Sequence, residues 1–88
     1  MLTTRVVYSG RVQGVGFRFR VRMISERHAV AGYVKNLRDG TVELLAQGEP
    51  AEIERFRDDV RREMRGLIRG EDASTLETEA FSGFDIAY

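Results

Sequence analysis

The 88-residue chain has no cysteine, a single histidine and a single proline, and no apolar run approaching the length of a membrane span. Without thiols it forms neither a disulfide nor a thiolate-ligated zinc site, and one imidazole does not build a histidine-rich metal centre. The missing disulfides suit a reducing cytoplasm. A helical span takes roughly 20 apolar residues, so no membrane association is expected. Met1 to Arg5 lead straight into strand-like sequence, without the layout of a secretory leader. Net charge is also absent, because 14 basic side chains balance 14 acidic ones. That balance argues against a general nucleic-acid binder, whose phosphate contacts need a basic excess.

The zero total conceals an asymmetry. Residues 1 to 38 carry seven Arg and one Lys against one Glu, whereas residues 39 to 88 carry six Arg against thirteen acids. The amino-terminal half therefore favours an anionic ligand, unless the folded elements interleave and mix these charges in space. Length and a 42% apolar content suit one compact core, so a single domain over residues 1–88 is expected.

Thr4 to Ser9 are rich in β-branched and aromatic residues and read as a strand. From Phe17 to about His28, Phe17, Val21 and Ile24 fall at helical spacing. Residues 30 to 36 and 41 to 47 read as two strands, joined through Leu37-Arg38-Asp39-Gly40 as a hairpin. Pro50 suits the first turn of a second helix, and Ile53, Phe56, Val60, Met64 and Leu67 form its apolar stripe. Residues 66 to 73, with Gly66, Gly70 and several charges, read as a loop before a strand at 75 to 81. Phe84, Ile86 and Tyr88 alternate like a short final strand. The order β-α-β-β-α-β with an added edge strand predicts an α+β, ferredoxin-like split β-α-β sandwich. Its antiparallel sheet of four to five strands would carry two helices on one face.

Between the first strand and first helix lies Gly10-Arg11-Val12-Gln13-Gly14-Val15-Gly16-Phe17-Arg18. Three glycines let backbone N–H groups turn toward one point, the helix start adds its positive end, and a guanidinium grips two oxygens at once. This layout suits a phosphate-sized anion, although glycines there also serve simply to make the turn. The loop lacks the Lys-Ser/Thr ending of a nucleotide-binding P-loop and the spacing of dinucleotide folds. Arg18 at a helix start opposes the helix dipole, a conflict that a bound anion removes. Asn36 stands at a strand end before Asp39-Gly40, where an amide either serves the turn or holds a water by accepting and donating together. His28, the lone imidazole, reads as structural, and Ser9, Ser25, Ser74 and Ser82 lack a nucleophile context.

The segment Gly10 to Arg18 resembles the first signature of the acylphosphatases, Gly-x-Val-Gln-Gly-Val-x-Phe-Arg. Gly32-Tyr33-Val34-Lys35-Asn36-Leu37-Arg38-Asp39-Gly40-Thr41-Val42-Glu43 resembles the second, and Glu79 to Ile86 resembles the family's ending. The resemblance implies an enzyme that hydrolyses the carboxyl–phosphate bond of small acyl phosphates, with no metal and no cofactor. It further implies that Arg18 and the backbone of Gln13, Gly14, Val15, Gly16, Phe17 and Arg18 hold the phosphate, while Asn36 orients the attacking water. A cytoplasmic monomer is expected. The sequence departs from the family at His28, Ala29 and Arg20, and between Arg65 and Glu71. Two alternatives remain. One is a non-catalytic or carbamoyl-phosphate-handling domain on the same fold, like the amino-terminal part of hydrogenase-maturation carbamoyltransferases. The other, an RNA-binding domain, needs exposed aromatics on the central strands, and Thr41 to Gln47 contain none.

Overall fold

Seven elements follow one another in the computed structural model, which describes residues 1–88: β1 (Leu2–Gly10), α1 (Phe17–Ser25), β2 (Ala31–Asn36), β3 (Val42–Gln47), α2 (Pro50–Glu63), β4 (Ile68–Glu77) and β5 (Phe84–Ala87). The strands form one sheet in the order β4-β1-β3-β2-β5. The first three pairings are antiparallel, and β5 lies parallel to β2. The expected fold class stands, with five strands of which the last is not antiparallel.

Strand alternation decides where the core sits. Val6 and Tyr8 of β1, Val34 of β2 and Val42, Leu44 and Ala46 of β3 face one side. There they join Phe17, Val21 and Ile24 of α1 and Ile53, Phe56 and Val60 of α2 in a single buried cluster. α1 thus contributes the stripe its spacing predicted, whereas α2 contributes Ile53, Phe56 and Val60 and ends at Glu63, so Met64 and Leu67 meet the same core from the turn that follows. The opposite face carries a polar group in which Arg5 Nε and the Tyr33 hydroxyl donate to the two Glu43 carboxylate oxygens, at 2.6 and 2.7 Å. Burial pushes Glu43 upward, but the hydroxyl and the guanidinium outweigh it and hold the carboxyl below its ordinary range.

Two segments differ from the sequence reading. Of residues 66 to 73, only Gly66 and Leu67 lie in a turn, because β4 begins at Ile68, runs ten residues and pairs with β1. Its charges and glycine suit an unpaired outer edge, where polarity deters further strand addition. The strand expected at 75 to 81 accordingly ends at Glu77, and residues 78 to 83 become the crossing from one sheet edge to the other. Four inter-strand gaps span roughly 19 Å, a distance six residues cover only when nearly extended. Gln47 holds this crossing, donating through Nε2 to Glu79 O at 2.7 Å and accepting from Phe81 N at 2.9 Å.

The first helix stops at Ser25 instead of near His28. Glu26, Arg27 and His28 each donate to the carbonyl three residues back, a tightened last turn that needs no left-handed residue at Ala29. His28 then fastens the end of α1 to α2. Its Nδ1 lies 2.8 Å from a Glu52 oxygen and its Nε2 lies 2.6 Å from an Asp59 oxygen.

Candidate functional site

β1 and β2 both run antiparallel to β3, and β5 runs parallel to β2, so the carboxyl ends of β1, β2 and β5 share one end of the sheet. At that end the glycine loop, the start of α1, Asn36 and the β5 terminus enclose a cavity of about 270 Å³. The volume falls just short of the roughly 300–1,000 Å³ typical of sites for drug-sized ligands. Of the sequence-predicted residues, Gly14, Gly16, Phe17, Arg18 and Asn36 line it, whereas Gln13 and Val15 do not.

The loop holds its shape through backbone conformation and one side-chain brace. Gly14 and Gly16 stand at φ 75° and 77°, left-handed values at which other residues are strained. A Cβ at either would meet nothing, so the backbone angle, not crowding, calls for glycine. The Gln13 amide donates through Nε2 to Leu37 O and Thr41 O, both at 2.8 Å, and so ties the loop to the hairpin that begins at Asn36. The backbone N–H groups of Gln13 to Gly16 donate to no protein acceptor. Those of Phe17 and Arg18 lie in the first turn of α1, where no intrahelical acceptor exists. The helix has no side-chain cap and no acidic residue in that turn, so its positive end is uncompensated.

Arg18 is half-buried and, unlike Arg5, Arg22, Arg27, Arg55, Arg57, Arg61 and Arg62, pairs with no carboxylate. Its Nη1 donates to Ala87 O at 3.1 Å, and its Cζ lies 4.9 Å from the centre of the Tyr88 ring. Four other guanidinium N–H groups stay available to a ligand. The Asn36 side chain does not serve the turn. Asp39 Oδ1 does so instead, accepting from Thr41 N at 3.0 Å and Thr41 Oγ1 at 2.6 Å. Asn36 Oδ1 is enclosed without any donor, which costs roughly 1–3 kcal/mol unless a water or ligand supplies one.

Sequence reasoning missed Val12, Phe19, Ile86 and Tyr88, which also line the cavity. The alternation of Phe84, Ile86 and Tyr88 marks a strand, but nothing in it tells which strand it joins. Chemically, the arrangement offers N–H donors without protein partners, one guanidinium with no carboxylate partner and one amide oxygen without a donor. No imidazole, side-chain carboxylate or thiol lines the cavity.

The pairing order and the two helices on one face define a ferredoxin-like sandwich. The chain belongs to the acylphosphatase family, whose profile matches residues 4–86. Among curated relatives, it is 50% identical over 62 residues to the acylphosphatase of Bacillus velezensis, covering 70% of this chain and 69% of that protein. Its fold superposes on the crystal structure of acylphosphatase from Bacillus subtilis with a TM-score of 0.89 at 36% identity, over the full length of both chains. T. kodakarensis HypF is also similar, with a TM-score of 0.88 at 30% identity, but the match covers 12% of that longer chain.

Proposed function

We propose that this chain hydrolyses the carboxyl–phosphate bond of small acyl phosphates, acting as a single domain over residues 1–88 and as a cytoplasmic monomer. The phosphate oxygens accept from the backbone N–H groups of Gln13 to Arg18 and from the Arg18 guanidinium. The Asn36 amide engages the attacking water, which adds to phosphorus opposite the leaving carboxylate. The phosphorus–oxygen bond to the acyl group breaks, its electron pair leaves with the carboxylate, and the water proton passes to a phosphate oxygen. The products are a carboxylate and inorganic phosphate.

This route suits the residues present. A carboxylate leaves readily, and phosphoryl transfer through a loose transition state asks mainly for positioning and charge stabilisation. A protein base is then dispensable, in keeping with a lining that has none. In this reading, neutralising the phosphoryl charge falls to Arg18 and the amides. One observation carries the reading: Asn36, whose Oδ1 accepts from no protein donor, lines the same cavity as a guanidinium that has no carboxylate partner.

The test is release of phosphate from an acyl phosphate in the presence of a chelator, with the wild-type chain and Arg18→Ala. Turnover that survives the chelator and falls at least about 100-fold in Arg18→Ala is expected. Loss of activity with chelator, or full activity in Arg18→Ala, contradicts the reading. The likeness to a small part of HypF favours a second reading, in which the cradle holds carbamoyl phosphate or another anion without hydrolysing it. Tight phosphate binding with no turnover would select that alternative.

A further inference from the structure

Half of the 14 basic side chains, the seven arginines contrasted with Arg18 above, pair with carboxylates. Apart from Arg18, the cations left without a carboxylate are Arg11, Arg20, Lys35, Arg38, Arg65 and Arg69. The fold gathers these six at the end of the sheet that holds the cavity. Arg11 lies in the glycine loop and Arg20 in the first turn of α1, while Lys35 and Arg38 flank Asn36 at the end of β2 and in the hairpin. Arg65 and Arg69 bracket the turn between α2 and β4, and Arg11 N donates to Leu67 O at 2.8 Å, which ties that turn to the loop. All are exposed except Lys35, which stands opposite Glu43 and is partly offset by it. The acids that pair with no cation, Asp39, Glu49, Asp72, Glu79 and Asp85, are placed differently. Only Asp39 stands in the hairpin beside the cavity; Glu49 and Glu79 lie at the opposite end, near the terminus of β3, and Asp72 and Asp85 lie within β4 and β5. Folding thus mixes the two charge-biased halves of the sequence along α2 but not at the cavity mouth, and a chain of zero net charge acquires a positive pole there.

We propose that Arg11, Arg20, Arg38, Arg65 and Arg69 capture the doubly charged phosphate of the substrate through their summed field, drawing it to the cradle without touching it once bound. The inference rests on the phosphate-holding reading above and adds to it the residues that deliver the anion. None of the five lines the cavity. In the order β4-β1-β3-β2-β5, the strands that carry Arg69 and lead to Arg38 lie one and two places from β1, or roughly 5 and 10 Å. Those separations are within about one Debye length at 0.1 M salt. Each cation therefore attracts a dianion weakly, the group attracts it measurably, and added salt cancels the attraction. Charge acting over such distances favours bound substrate and transition state alike, so it lowers KM and leaves kcat unchanged. The cavity at the centre of the pole, about 270 Å³, is sized for one small phosphate compound, which makes a small dianion the occupant.

The experiment measures steady-state kinetics on acetyl phosphate at ionic strengths of about 10 mM and about 0.5 M. It compares the wild-type chain with Arg11→Gln/Arg38→Gln/Arg65→Gln and with Ala51→Glu/Ala80→Glu/Ser82→Glu. The second variant brings the same change in net charge at exposed positions of the opposite end. Circular dichroism checks that both are folded, which the exposure of every substituted residue favours. At low salt the arginine variant is expected to lose about tenfold in kcat/KM, all of it in KM, and at high salt less than about twofold. The opposite-end variant stays within about twofold of wild type at both. An arginine variant equal to wild type at low salt, or an equal loss in the opposite-end variant, overturns the proposal. Inorganic phosphate binding, read by calorimetry at the same two ionic strengths, gives the answer without turnover. Binding that weakens in the arginine variant at low salt alone supports the field even if acetyl phosphate is not hydrolysed, a result that sinks only the hydrolytic reading. Hydrolysis accompanied by phosphate binding indifferent to the three substitutions overturns the field and leaves hydrolysis standing. A single-stranded RNA oligonucleotide bound more tightly than phosphate at about 0.15 M salt marks the pole as a polyanion surface and overturns the assignment to a small dianion.

Discussion

Gln13→Ala tests whether the loop is held in place by the hairpin that begins at Asn36. The substitution removes two side-chain hydrogen bonds of 2.8 Å, to Leu37 O and Thr41 O. A net hydrogen bond contributes about 1 kcal/mol, so the pair is worth about 2 kcal/mol. No further penalty for orphaned acceptors applies. Leu37 O still accepts from Gly40 N at 3.2 Å, and Thr41 O from Leu37 N at 2.9 Å. Urea unfolding followed by circular dichroism should therefore show a loss of about 2 kcal/mol, or a fall in Tm of roughly 10 °C for a domain of this size. Gln13→Glu should be worse than Gln13→Ala. An ionised carboxylate has no proton to donate and brings negative charge against two carbonyl oxygens. Turnover should fall at least about tenfold in both variants, because the loop and Asn36 lose their fixed separation. A Gln13→Ala protein within about 0.5 kcal/mol of wild type, or a Gln13→Glu protein more stable than Gln13→Ala, would refute the brace.

Gly14→Ala and Gly16→Ala each place a Cβ in open space at a left-handed φ, and should cost about 1–2 kcal/mol in unfolding measurements. Gly32→Ala should be far more damaging, since its Cβ would overlap Leu45 O at φ +145°; a soluble Gly32→Ala protein as stable as Gly16→Ala contradicts this. Glu43 titrates below its ordinary range in the folded chain, so its contribution is complete above a pH of about 4.3 and fades as pH falls through the lowered folded value. Glu43→Gln should therefore flatten the acid limb of a stability–pH profile, and an unchanged slope below pH 4.3 would count against the Arg5–Glu43–Tyr33 group. In an amide-resolved NMR titration with inorganic phosphate, the largest shifts should fall on Gln13 to Arg18, and shifts centred elsewhere would dislodge the cradle.

How much of this was legible in the sequence depended on whether local pattern or long-range pairing decided the element. The stripe of Ile53, Phe56 and Val60 defined α2 because an apolar face at helical spacing has one way to be buried. Asp39-Gly40 likewise marked the β2–β3 turn, since Gly40 takes a positive φ and Asp39 caps Thr41 locally. β4 was hidden because Arg69, Gly70, Glu71 and Asp72 carry no strand signal of their own, and β1 alone supplies the backbone partners. The parallel placement of β5 was hidden for a related reason, as side-chain alternation is the same in either direction. At the site, Gly14, Gly16 and Arg18 could be read because left-handed backbone angles call for glycine and a cation at a helix start opposes the dipole. The Gln13 brace and the lining by Phe19, Ile86 and Tyr88 could not. They depend on which distant carbonyls and strand ends the fold brings to one place.

The central claim is a division of labour, in which the loop and Arg18 hold the phosphate while Asn36 engages the water. The most direct measurement is the steady-state kinetics of Asn36→Ala on an acyl phosphate, paired with its inhibition constant for inorganic phosphate. A kcat lowered about 100-fold or more, with phosphate inhibition within about threefold of wild type, is the predicted result. An unchanged kcat, or phosphate binding lost in proportion to turnover, would contradict it.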